Sequence, residues 1–276
     1  MKEIYYQSGD GRKRIYLDRM PYWMQTGDFM DYAWDYTTRN RRITGFEKEV
    51  QEHDLTISVF GDTEEEYEGN LRQLHDVLEG DVRAMTPGRL YVGEYYLTCY
   101  IIASTKADWE YDCGIMDNTL TLATDYPHWV QEETKQFFRS PSAASAGSLD
   151  YPYDYEYDYA PAEAGLVSWA TDHYTASDYR MTIYGPCADP RILVNGKPIG
   201  LYDTLDPSDY VVIDSRAHTV VKYLANGTSQ SKYDYRIKQE GSIFDQIPGG
   251  TLTLNWSGQF GFDLTLYKER SEPLWN

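Results

Sequence analysis

The stretch HDLTISVFGDTEEEYEGNLRQLHDVLEG, residues 53–80, decides the fold class. Its first eight residues alternate: Leu55, Ile57 and Val59 fall on one side, Thr56 and Ser58 on the other. That is the period of a half-buried strand. Thr63 and Glu66 then form a T-x-x-E capping box, in which hydroxyl and carboxylate satisfy orphan backbone donors. The acidic run Glu64, Glu65, Glu66 complements the positive end of a helix dipole and reads as a first turn, not a metal or acid–base cluster. Tyr67, Leu71, Leu74 and Leu78 recur at spacings of four, three and four, one face of an amphipathic helix. Gly80 reads as its left-handed stop. A strand, then one helix over about 63–79, is the expectation.

Outward from this stretch the chain reads as strands. Residues 95–103 and 118–124 are β-rich, and 181–184, 192–194, 210–214, 218–224, 251–256 and 261–267 follow at spacings near ten residues. Asn195-Gly196 and Asn226-Gly227 are tight-turn pairs between them. Six or more short strands without a helix predict a β-sandwich over 164–276. The small, polar, aperiodic run 140–148 reads as a linker. After it, Asp150-Tyr151-Pro152-Tyr153-Asp154-Tyr155-Glu156-Tyr157-Asp158-Tyr159 alternates strictly. An extended chain places Tyr151, Tyr153, Tyr155, Tyr157 and Tyr159 on one side and the carboxylates with Pro152 on the other. Pro152 excludes a central strand, so this reads as an edge strand or a polyproline-like arm, with a low-complexity disordered segment as the rival; five rings on one side favour ordering against a surface. The Asp154-x-Glu156-x-Asp158 spacing fails as an EF-hand loop, because Tyr159 stands where its sixth-position glycine is needed. The expected division is a helix-bearing β domain at 1–140, a linker and arm at 141–163, and a second β domain at 164–276.

Composition narrows function. A length of 276 residues suits two domains or one large all-β domain. Tyrosine is in excess, 27 against 8 phenylalanines, which suits half-buried strands and protein–protein surfaces. A formal net charge of −19 argues against stable binding to nucleic acid or to an anionic membrane. Cys99, Cys113 and Cys187 are too few for a disulfide framework and contain no CxxC pair. They read as buried free thiols. The first residues carry charge at once and no apolar core, so no secretory signal is expected, and the two N-x-S/T sequons carry no weight. No nucleophile elbow, P-loop, zincin or dinucleotide motif occurs, and His53, His75, His128, His173 and His218 share no metal-ligand spacing. The expectation is a protein that is not an enzyme and needs no cofactor or metal.

Several short motifs resemble one family. Ile183-Tyr184-Gly185-Pro186, followed by Ile192 to Asn195-Gly196 and by residues 210–215, resembles the first signature of the siphovirus distal tail protein family. Residues 242–250, with Phe244 and Pro248, resemble its IF-x-x-IP-x-G turn. Residues 269–275, with Arg270, Pro273 and Trp275, resemble its terminal ERSEPxW. Residues 85–93, with Pro87, Gly88 and Arg89, and then 95–97 look like its central strand pair. Residues 124–129 match a further element, and the Tyr/Asp arm is also typical of it. The matches span 55–276 in family order.

The resemblance implies a mainly β structural protein of a phage tail tip. Its N-terminal domain would be a tail-tube-like β-sandwich with one helix, its C-terminal domain a galectin-like β-sandwich. It implies a hexameric ring, the baseplate hub, with a channel for DNA passage. The implied partners are further copies of the chain, the tail tube protein, a tail-tip or tail-associated fibre protein and a receptor-binding protein. The implied location is the virion tail tip, after synthesis in the bacterial host cytoplasm. The rival expectation is a carbohydrate-binding module for host adsorption, with Trp169 or Trp256 stacking on a sugar. Aromatics buried between sheets would favour the ring; aromatics exposed on a concave face would favour the sugar.

Overall fold

The computed structural model describes residues 2–106, 115–139, 165–238 and 241–274; Cys113, Trp275 and the tyrosine arm lie outside them. The chain is mainly β with one α-helix and packs as two compact units, Met1–Gln131 with Glu269–Asn276, and Glu132–Lys268. Packing therefore groups 132–139 with the second unit and 269–276 with the first, whereas the sequence division drew its lines at 140 and 164.

In the first unit, the strands Tyr95–Thr105, Ile115–Thr124, Gln51–Phe60, Tyr22–Gly27 and Asp18–Arg19 form one antiparallel layer in that order. Leu55, Ile57 and Val59 point into the core as their alternation requires, each at most 1% exposed. On the other face, Thr56 meets Thr119 at 3.1 Å and Ser58 donates to Asp117 at 2.6 Å. A second layer runs Arg14–Tyr16, Ile4–Gln7, Gly88–Val92 and the first half of Tyr95–Thr105, which thus belongs to both.

The helix Glu64–Ala84 buries Leu74, Val77 and Leu78 against this core, with Tyr67 and Leu71 half-buried beside them. The Thr63 hydroxyl accepts from Glu66 N at 3.2 Å. The Glu66 carboxylate accepts from Asp62 N, also at 3.2 Å, one residue before the cap. Such a cap contributes about 1 kcal/mol.

The expected end at Gly80 is corrected. Gly80 is interior helix, and the stop is Met85 at φ 51°. Met85 N–H bonds Val82 O and Thr86 N–H bonds Asp81 O, both at 3.1 Å, a Schellman pair built without glycine. The extra turn is anchored by Asp81, whose buried carboxylate accepts from Tyr6 Oη at 2.8 Å and Gly9 N at 3.0 Å. That anchor has no signature in local sequence.

The second unit is two facing sheets. One orders Ser229–Ser231, Thr219–Tyr223, Tyr210–Asp214, Asp178–Tyr184, Phe262–Arg270 and Trp129–Phe137; the other orders Leu166–Ala170, Thr251–Trp256, Arg191–Val194 and Lys197–Gly200. Met181, Ile183, Val211, Ile213 and Leu264 from the first meet Ile192, Leu252 and Leu254 from the second, all fully buried. Asn195-Gly196 makes the two-residue hairpin read from the sequence, with φ of 50° and 83° and Val194 opposite Lys197. The loop carrying Ile243, Phe244 and Ile247 plugs this core, where Tyr179 Oη donates to Ile243 O.

Candidate functional site

The residues that could carry chemistry stand apart. Among the described residues no three His, Cys, Asp or Glu side chains are grouped to hold a metal ion. Cys99 is buried and its thiol is pushed up to about 12 by desolvation; Cys187 is half-buried and is pushed up to about 11 for the same reason. Both are neutral thiols near pH 7. The densest buried charge cluster is structural: Lys222 Nζ lies 3.2 Å from Asp209 and donates to Thr204 O at 2.6 Å, while Lys232 lies 3.0 Å from Asp203. Each carboxylate there faces an ammonium, which holds the loops together.

The motif residues are mostly architectural. A Cβ on Gly88 would lie 2.0 Å from Tyr6 Oη, and one on Gly185 would lie 2.2 Å from Asp206 O. Pro186 follows a cis peptide. Asn195 Oδ1 accepts from Thr253 N at 2.8 Å, locking the Gly196 turn to the neighbouring strand. Phe244 is buried and stacks on His218 and Tyr233, with centroids 5.1 and 5.8 Å away. Pro87 precedes the strand Gly88–Val92, Pro248 sits exposed in the plug loop, and Arg270 ends the strand Phe262–Arg270. Pro273 is buried beside Leu274 in the first unit, along an open groove of about 810 Å³ lined also by Ile4, Met24 and Phe29. Lys2 Nζ donates to Leu274 O there.

The sugar platform expected at Trp169 or Trp256 is absent. Both indoles are buried, at 6% and 7% exposure, in a cluster with Phe137 and Phe262. The intersheet core claims them because the alternation that makes each strand also turns their rings inward. Among the exposed rings of this unit, Tyr184 and Tyr210 continue a row to Tyr223, where Tyr210 and Tyr223 stack face to face at 4.9 Å; Tyr174, Tyr202, Tyr233 and Tyr235 are exposed elsewhere.

What the structure does expose is an apolar hairpin. The hairpin Asp35–Arg39 and Arg42–Glu47 pairs only with itself among the described strands. Tyr36 and Phe46, opposite one another, are each 63% exposed, and Ile43 is 54% exposed. Its turn places Asn40 and Arg41 at positive φ, 51° and 61°, without glycine. Arg39, Arg41 and Arg42 make the tip basic on an acidic chain. The base is tied down by Lys48, which donates to Pro127 O at 2.8 Å and lies 4.9 Å from the Trp34 ring. Sequence reading missed this hairpin because its turn lacks the Asn-Gly or Asp-Gly signal. A two-stranded hairpin with apolar side chains in water is marginal alone.

A second feature is one face of the layer Arg14–Tyr16, Ile4–Gln7, Gly88–Val92, Tyr95–Thr105, on which Tyr5 and Tyr96 are buried and Tyr16 and Tyr91 half-buried. Tyr16, Tyr5, Tyr91 and Tyr96 are in direct cross-strand register and form a ladder with centroid steps of 5.6, 4.5 and 5.5 Å. Arg19, Arg14 and Arg89 lie over Tyr16, Tyr5 and Tyr96 at 4.2, 5.1 and 4.3 Å respectively. Burial, and then the neighbouring Tyr91, raise the Tyr5 phenol; the hydrogen bond with Tyr16 raises Arg14. Tyr and Arg are the residue types that interfaces favour.

No known family profile and no curated protein matches the sequence. Solved structures do match in fold. The SPP1 Dit (gp 19.1) protein, described as a paradigm of the hub adsorption apparatus in phages infecting Gram-positive bacteria, superposes with a TM-score of 0.60 at 12% identity, covering 97% of this chain and 99% of that one. A chain of the phage P2 baseplate in its activated conformation with Ca superposes at 0.63, again with 12% identity, covering 99% and 100%. The same baseplate with Sr gives the same values. The chain thus has, from end to end, the fold of phage baseplate hub proteins.

Proposed function

We propose that this chain is a non-catalytic distal tail protein: six copies close into the baseplate hub ring that joins a phage tail tube to its tip and adsorption apparatus. The observation that carries this reading is the fold shared over nearly the whole of both chains with a hub protein and a baseplate component. Fold alone does not dictate function, but here the surfaces argue the same way. A closed ring needs a head-to-tail interface, and the basic, apolar hairpin at 35–47 is suited to grip an acidic neighbour. Under this reading the first unit is the tail-tube-like ring builder and the second the galectin-like, outward module. The partners are the tail tube protein, a tail-tip or fibre protein and a receptor-binding protein, the location is the virion tail tip, and the acidic channel wall lets exiting DNA slide without adhering.

The experiment is an assembly assay on the intact chain. The double substitution Ile43→Glu and Phe46→Glu should reduce self-association by at least about tenfold, since each buries a charge in the interface. Thermal unfolding should stay unchanged, because the hairpin belongs to neither core. Sedimentation velocity reads the first and calorimetry the second. Undiminished assembly with both glutamates present would remove the hairpin from the interface.

A further inference from the structure

On a chain of net charge −19, Lys106 is half-buried without a counter-ion. It follows the strand Tyr95–Thr105, and among the described residues no carboxylate offsets the desolvation that lowers its ammonium. Its Nζ donates to Ser104 Oγ at 2.8 Å, and Ser104 Oγ donates in turn to Asn118 Oδ1 at 2.7 Å. Because Ser104 already accepts from the lysine, its own proton goes to Asn118, which fixes the amide with its nitrogen left over. Asn118 lies in the strand Ile115–Thr124 and is fully buried, and that nitrogen has no hydrogen-bond partner. Buried donors left in this way are rare in native proteins. His75, on the helix Glu64–Ala84 that packs on Tyr95–Thr105, is half-buried too. Burial and then the Lys106 charge lower its imidazole, against smaller opposing pulls from Glu79 and Asp76. The cluster therefore holds donors in excess. Lys106 keeps two of its three N–H bonds free, Asn118 both of its own, and His75 its ring N–H.

We propose that Lys106, Asn118 and His75 bind a small free oxyanion of the phosphate or sulfate class between the helix and the strands, with Ser104 as a positioning residue. A water molecule does not satisfy this cluster, because it brings two protons that need acceptors of their own. An oxyanion brings acceptors alone, and it neutralises the ammonium as well. Asn118 forms the inner end, with Lys106 and His75, both half-buried, at the mouth. A site with its amide fully buried takes a free ion and not the phosphate of a polymer. Ser104 holds Lys106 and Asn118 in register through its two hydrogen bonds. A bound anion favours the imidazolium of His75, so binding tightens as pH falls. The ring reading plays no part in this argument.

The test is a sulfate titration of the full-length chain at constant ionic strength, read from the His75 imidazole by NMR. Sulfate keeps its charge near neutral pH, so the protein alone titrates. The His75→Gln variant identifies the signal among the five histidines. A saturable movement toward the imidazolium position is expected, with the His75 pKa raised in the bound form. Lys106→Gln should weaken binding at least about tenfold, and Ser104→Ala should weaken it in the same direction. Thermal unfolding gives a second reading, in which sulfate should raise the Tm of the natural chain more than that of Lys106→Gln. A shift that grows linearly with sulfate, or one equal in Lys106→Gln, would report screening alone and overturn the proposal.

Discussion

Truncating Phe262 to alanine is expected to destabilise the second unit by about 3–5 kcal/mol. The ring is 1% exposed, stacks on Phe137 at 4.6 Å and 11°, and meets the Trp256 indole edge-on at 5.2 Å. The neighbours are poorly placed to close the void. Trp256 is held by its Nε1 bond to Phe260 O at 3.1 Å, and Phe137 is braced against Trp169 as well. Incomplete collapse is what moves such truncations toward the upper end of their range. Phe262→Leu, which keeps most of the volume, should cost about 1–2 kcal/mol. Urea unfolding followed by tryptophan fluorescence measures both. A loss below about 1 kcal/mol for the alanine variant would contradict the packing described.

Gly88→Ala should have an effect of similar size, about 3 kcal/mol, through overpacking instead of a void. The new methyl would lie 2.0 Å from Tyr6 Oη and 2.8 Å from Gln7 O, in a strand paired on both sides. Tyr6 cannot swing away without breaking its buried 2.8 Å hydrogen bond to Asp81, so the clash and the lost bond add. The companion substitution Gly80→Ala works in the opposite direction. A methyl there meets nothing within 4 Å, and a helix-interior glycine is less stable than alanine by about 0.5–1 kcal/mol. Calorimetry on the two variants should move Tm down and up respectively. A fall with Gly80→Ala would mean that the helix stops there after all.

The pattern of what sequence revealed follows from the range of the forces involved. Strand alternation at Leu55, Ile57 and Val59 and the cap at Thr63 are local, and the structure has them where the residues predict. The Asn195-Gly196 hairpin is equally local. The helix end was misjudged because its last turn is fixed by Asp81 reaching Tyr6, 75 residues away in the chain. The tyrosine ladder was invisible for the same reason. Tyr5, Tyr16, Tyr91 and Tyr96 become one surface only through the register of four strands. Trp169 and Trp256 looked available to a sugar because a lone tryptophan does not say which side of its strand is covered. The short motifs fall at tight backbone approaches at Gly88 and Gly185 and at a turn lock at Asn195, positions where few residues fit.

The hub assignment stands most directly on the mass and symmetry of the particle the chain forms. Light scattering coupled to size exclusion at moderate salt, with the same fraction imaged by electron microscopy, measures both. Six chains of 32.0 kDa give a ring of about 192 kDa with a central opening, and that particle or its multiple is the predicted result. A 32.0 kDa monomer that persists at high concentration and in the presence of the tail tube protein would contradict it.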